Sequence, residues 1–147
     1  MKLDYYKNKL KELLLNISNK EVPVAALIVK DGNIIAKATN LKETLNDATS
    51  HAEINAVRKA GTILNNWYLN DTTLITTLEP CPMCLYAIIE ARVKEVVYFV
   101  KDEKNGAINS PYSVLSRINP KKMPLITYLY DNEFELLLKD FFKKLRK

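Results

Sequence analysis

Only three side chains in 147 residues are histidine or cysteine, the nitrogen and sulfur ligands of zinc sites, and they stand in two short stretches. His51 is the single histidine, within Ser50-His51-Ala52-Glu53, and Cys81 and Cys84 are the only cysteines, within Pro80-Cys81-Pro82-Met83-Cys84. One imidazole and two thiolates favour zinc over harder cations. A zinc ion with three protein ligands keeps its fourth position for water, whereas structural sites are normally closed by four, so the pattern is catalytic in form. Both cysteine sulfurs fall on one face of a helix that begins there. Pro82 suits the first helical position, where its missing N–H costs no helical bond. The dipole of such a helix lowers a thiol's pKa. His51 and Glu53 would diverge in mid-helix, but near an N-terminus both reach a ligand just beyond the end. Two helix N-termini facing one metal therefore satisfy both stretches. Glu53 lies outside the ligand set, where a carboxylate can take a proton from an activated water and deliver it to a substrate.

Plainer readings exist for each part. Ser50 and Glu53 also form a capping box, in which Glu53 only ties back a helix start. A lone histidine at a helix start is commonly structural, and two nearby cysteines are commonly small buried hydrophobes. The coincidence of all three in two motifs, with no other histidine or cysteine in the chain, favours the metal.

The elements that must position these residues follow from periodicity. Leu3, Tyr6, Leu10, Leu13, Leu14 and Ile17 have helical spacing over residues 2–18. Val24 to Lys30 and Asn33 to Thr39 flank Asp31-Gly32 and read as a hairpin. Asn40 to Thr49 is a polar loop leading into a helix from His51 to about Leu64, with Ala56, Val57 and Ala60 inward. Trp67 is expected to anchor in the core. Thr72 to Thr77 is a strand, Pro82 to Ala91 the second ligand-bearing helix, and Glu95 to Val100 a buried strand. Lys101 to Ser110 is polar around Gly106, Pro111 to Arg117 reads as a short helix, and Asn119 to Lys122 as a basic turn. Leu125 to Tyr130 is the last strand. A closing helix follows from Asp131, with Phe134, Leu137, Leu138, Phe141 and Leu145 as its apolar side. The order predicts an α/β sandwich around one sheet, with both ligand-bearing helices opening at the same end.

Length and a 48% hydrophobic content predict one globular domain over residues 1–147 with no need of disulfides. No apolar run is long enough to cross a bilayer, and the first residues, interrupted by Asp4 and Lys7 to Lys11, do not read as a signal peptide. No membrane partner and a cytoplasmic location are expected. The net charge of +5 is compatible with an RNA partner but does not require one.

With these residues in place, the chain resembles the bacterial tRNA-specific adenosine deaminase family of the cytidine deaminase-like superfamily. The resemblance runs through Glu21-Val22-Pro23-Val24, Asn40, His51-Ala52-Glu53, Thr77-Leu78-Glu79-Pro80-Cys81 with Met83-Cys84, Asp102 with Lys104, Gly106-Ala107, and Asp140-Phe141-Phe142. The H-x-E and P-C-x-x-C signature belongs to zinc nucleobase deaminases at large; the flanking matches are narrower. The resemblance implies a three-layer α/β/α sandwich with a five-stranded mixed sheet, a homodimer, and conversion of a wobble adenosine to inosine on a tRNA anticodon stem-loop. It implies zinc on His51, Cys81 and Cys84, and Glu53 as proton shuttle. Asn40 and the Ala52 N–H would hold the flipped-out base, Val24 and Leu78 would wall it, Asp102 would touch the preceding nucleotide, and Phe142 would lie near the RNA.

Some positions depart from that pattern. Leu85 and Tyr86 stand where small residues are usual, Phe99 and Asn109 replace glycines, and Ser116 to Pro124 lacks the usual histidine and arginine character. These lie where partner chain and RNA are expected. Two further readings stay open: a deaminase of a free base or nucleoside such as guanine or cytidine, and a non-catalytic RNA-binding subunit that keeps zinc for stability.

Overall fold

The computed structural model describes residues 2–146. Helix α1 (Leu3–Leu15) buries Tyr6, Leu10 and Leu14, one stripe at four-residue intervals, and ends at Asn16 before Ile17 is reached. Strands β1 (Ala25–Lys30) and β2 (Asn33–Thr39) pair antiparallel. Their turn places Asp31 at φ +51° and Gly32 at φ +79°, the left-handed pair that a two-residue hairpin needs to match strand twist. A short helix, α2 (Lys42–Leu45), interrupts the loop expected from Asn40 to Thr49. Then come α3 (Ala52–Leu64), β3 (Thr72–Thr76), α4 (Pro82–Glu90) and β4 (Glu95–Tyr98). Two 3-10 turns, Leu115–Arg117 and Pro120–Lys122, stand where a short helix and a basic turn were expected. Strand β5 (Leu125–Tyr128) and helix α5 (Asn132–Leu145) close the fold.

The strands form one mixed sheet in the order β2-β1-β3-β4-β5. β1 runs antiparallel to both β2 and β3, whereas β3, β4 and β5 are mutually parallel. β2 and β3 therefore point the same way, and the helices that follow them begin at the same end of the sheet. Residues Ala25 to Val29 of β1 are buried throughout, the burial expected of a strand covered on both faces. α3 packs on β1 and β2 and touches α4, while α1 packs on β1 and β2 and is tied to α5 by Lys7–Asp131 and Lys11–Glu133 ion pairs, both 3.0 Å. The three-layer sandwich is thus present.

Two expectations about the core fail. Trp67 is 62% exposed: the chain reverses at Asn65 (φ +52°), carrying Trp67 outside, and Leu69 takes the fully buried place. Arg92 lies 5.3 Å from both the Trp67 and Tyr68 rings. On α5, Phe134 and Leu138 are buried but Leu137 and Leu145 are exposed, because the sheet receives only one narrow stripe of that helix. Among the described residues, no helix is long and apolar enough to cross a membrane.

Candidate active site

His51 and Cys81 are the N-cap residues of α3 and α4, both with extended backbone (ψ 154° and 170°). Neither side chain caps its own helix. They turn toward each other instead, with Cys84 one turn into α4. The Cys81 Sγ to His51 Nδ1 distance is 3.7 Å and the Cys84 Sγ to His51 Nδ1 distance 3.4 Å. All three donor atoms lie within 4.8 Å of one another. Tetrahedral ligation at the usual Zn–S and Zn–N lengths separates sulfur from nitrogen by about 3.5 Å, so the donor set fits a zinc-sized cation without rearrangement.

The Cys84 thiol hydrogen-bonds to Cys81 and, with His51 alongside, brings the Cys81 thiol down to about 4. That shared proton, with burial, pushes Cys84 up, and the hydrogen bond to Cys81 raises His51. Cys81 is thus the thiolate of the cluster while Cys84 and His51 hold protons, which a metal would displace on binding. Glu53 is 4% exposed. Burial raises its carboxyl to about 7, and the charge of Cys81 adds to the effect.

No capping box forms. The Ser50 hydroxyl donates to Asn55 Oδ1 (3.0 Å), and Asn55 Nδ2 donates to Thr39 O (2.9 Å). That arrangement fastens the start of α3 to the end of β2 and leaves Glu53 outside the cap.

A cleft of about 630 Å³ opens over the cluster. Val24, Asn40, Ala52, Leu78, Asp102 and Phe142 all line it, together with His51, Glu53 and Cys81; Cys84 lies buried behind them. Ala52 is the first residue of α3, where an N–H has no partner within the helix. Asn40 Oδ1 accepts from Lys42 N (3.2 Å), and Asp102 Oδ1 accepts from Lys104 N (3.2 Å) and Asn105 N (3.0 Å), so both side chains also shape their own turns. Phe142 is 43% exposed at the rim.

Sequence reasoning missed Lys42, Asn105 and Tyr112 in the cleft wall. It also missed two buried glutamates that hold the walls. Glu21 accepts from Glu43 N (3.1 Å), Thr44 N (2.7 Å) and Thr44 Oγ1 (2.6 Å), fixing α2. Burial opposes its charge, but these donors outweigh burial and hold the carboxyl below its usual range. Glu79 accepts from Asp102 N (3.2 Å), Ile108 N (2.9 Å), Asn109 N (2.9 Å) and Asn109 Nδ2 (3.3 Å). The available signal was an acid set directly before a proline-bearing turn: Glu21-Val22-Pro23 and Glu79-Pro80.

Two of the four single-residue departures, Leu85 and Phe99, are buried, and a third, Asn109, hydrogen-bonds within the chain. Leu85 is fully buried with Ala107 and Ile118 in a second apolar cluster that seats the 3-10 turns. Asn109 also donates to Tyr98 Oη (2.6 Å), and the Phe99 ring lies 5.3 Å from that of Phe134. Tyr86 and Asn109 are exposed.

Against this geometry, the sequence profile of the MafB19-like deaminases matches residues 1–146. A structure solved in a study of A-to-I editing by tRNA:A34 deaminases superposes with a TM-score of 0.74 and 33% identity, covering 91% of this chain and 99% of that one. A guanine deaminase structure from Bacillus subtilis superposes at 0.56 with 38% identity, covering 84% of this chain and 79% of the other. The fold and the residues at its helix ends are those of a hydrolytic deaminase with the cytidine deaminase-like architecture. A protein of Aquifex aeolicus known as tRNA-specific adenosine deaminase is 40% identical over 142 residues, 97% of this chain and 94% of its own. The chain belongs to the family of bacterial tRNA-specific adenosine deaminases.

Proposed function

We propose that the protein deaminates the wobble adenosine of a tRNA anticodon, with arginine tRNA as the first candidate, to inosine and ammonia, using one zinc ion per chain. The observation that carries the reading is the buried Glu53 beside the His51–Cys81–Cys84 cluster in a cleft roomy enough for a nucleotide. His51, Cys81 and Cys84 hold the metal, and zinc, when bound, supplies a water acidic enough to attack at neutral pH.

The chain's own groups do the rest. Glu53 takes the proton of the attacking water and passes it to the purine ring nitrogen next to the amino-bearing carbon. The new C–O bond makes that carbon tetrahedral; Glu53, again a carboxylate, then takes the proton of the new hydroxyl and delivers it to the amino group, the C–N bond breaks, and ammonia leaves as the carbonyl forms. A carboxyl near 7 before the metal enters is a group whose proton affinity its surroundings can tune. Val24 and Leu78 bracket the base, Asn40 and the Ala52 N–H hold its edge, Asp102 faces the preceding nucleotide, and Phe142 meets the RNA at the rim. A wobble base already lies in a loop, so extruding it costs little stacking. The protein acts as a homodimer in the cytoplasm, where a reducing medium keeps both thiols available to the metal.

The test is incubation of the zinc-loaded protein with an arginine-tRNA anticodon stem-loop carrying a wobble adenosine, with nucleoside mass spectrometry as readout. Inosine from wild type and none from Glu53→Ala is the expected result. Turnover of free guanine or cytidine without inosine in the stem-loop would assign the site to a free base instead.

A further inference from the structure

We propose that Glu79 is a positioning residue for the substrate: a buried carboxylate that ties the nucleotide-facing loop, residues 102–109, to the turn carrying the metal ligands. The inference rests on the function proposed above and adds a residue to it.

Glu79 is 2% exposed and sits two positions before Cys81. Both of its oxygens are committed to one loop. Oε1 accepts from Asp102 N and Asn109 Nδ2, and Oε2 accepts from Ile108 N and Asn109 N. A second tie runs in parallel, from Ala107 N to Pro80 O at 2.8 Å. The loop is moulded so closely around the carboxylate that a Cβ on Gly106 would be driven into the Glu79 side chain and the Asp102 carbonyl. Asp102 and Asn105, both lining the cleft, are thereby held at a fixed height above Cys81. All four partners of the carboxylate are donors. A glutamine has the same shape, but its amide N–H₂ opposes two backbone N–H groups if it takes the place of Oε2, and the Asp102 N–H if it takes the place of Oε1 even when the Asn109 amide turns to accept. Glu79→Gln therefore releases the loop without changing the volume of the site. Because Glu79 touches neither the metal ligands' donor atoms nor Glu53 by hydrogen bond, its loss affects binding before chemistry.

The experiment compares zinc-loaded wild type and Glu79→Gln on the stem-loop, alongside metal analysis and amide hydrogen exchange. The expected result is a KM raised about tenfold or more with kcat within about threefold, the signature of lost binding rather than lost transition-state contact. Zinc content should stay at one per chain, and the amides of Asp102, Ile108 and Asn109 should lose protection. Unchanged KM with unchanged protection would overturn the proposal, and so would a fall in kcat that tracks loss of zinc. If Glu79→Gln fails to fold, Asn109→Ala, which removes one of the four donors, decides: a raised KM at constant kcat supports the role and an unchanged KM overturns it. A wild type that makes no inosine yet shows these amides protected, and the variant unprotected, would refute the substrate while leaving the anchoring in place.

Discussion

Removing the Glu53 charge should stabilise the metal-free protein by an amount that grows as pH rises from about 4.5 to about 7 and then levels off. Its carboxyl is raised by burial from 4.5 to about 7, so the folded chain holds this proton more tightly than the unfolded chain does. A carboxyl displaced upward contributes most below its unfolded pKa, and that contribution drains away as pH climbs from 4.5 toward 7, then stays constant. The span amounts to about 3 kcal/mol in favour of an uncharged side chain above pH 7, and to less than about 1 kcal/mol at pH 5. Glu53→Gln keeps the shape and abolishes the charge. In urea with a chelator present, the variant should unfold close to wild type at pH 5 and about 1 M later or more at pH 8. With zinc bound, the dication offsets the burial of the carboxylate, and the pH-dependent gap should close. An equal gap at both pH values without metal would refute the idea that burial governs this carboxyl.

Other outcomes follow from the same geometry. Glu53→Gln with zinc bound should lose about 10²- to 10⁴-fold in kcat, read as inosine formed per unit time, while metal content is retained. In chelated protein at pH 7, iodoacetamide should label Cys81, whose thiol is brought down to about 4, well before Cys84, whose thiol is pushed up; peptide mass spectrometry distinguishes them. Asp131→Ala should cost about 1–2 kcal/mol in thermal unfolding, because Asp131 accepts from Glu133 N and Phe134 N at the start of α5 and pairs with Lys7. Burial opposes the Asp131 charge, but Lys7 and those amides hold its carboxyl below 3.8, so the loss should be full at neutral pH and fade as acid protonates the wild type. Gly106→Ala should cost about 1–3 kcal/mol, since the loop must move off Glu79 to admit a methyl group.

The meeting of His51, Cys81 and Cys84 was legible because rarity and helix-start chemistry coincide: with one histidine and two cysteines, there was no other trio to bring together. The sheet was legible where β-branched runs are buried on both faces, as in β1 and β3. What stayed hidden was the reach of side chains across sequence. Glu79 bonds to amides 23 to 30 residues away, and no local spacing reports that. Trp67 misled because aromatic bulk marks a residue for burial without saying which way a left-handed cap will throw the chain; Leu69, a smaller residue beyond it, took the interior. Leu85 and Asn109, read as departures at a partner or RNA face, serve packing and hydrogen bonding within this chain.

The antiparallel placement of β1 between β2 and β3 has a consequence for assembly during folding. His51 is delivered by the connection after β2 and Cys81 by the turn after β3, so the two meet only when β1 has paired correctly on both edges. A slip of two residues in the β1–β3 ladder would preserve which side chains face inward yet carry Cys81 about 7 Å along the strand axis, far outside contact with His51. Capture of a metal would therefore select the one register of the central ladder, and a chain trapped in a shifted pairing would be left without the stabilisation that binding gives the native sheet.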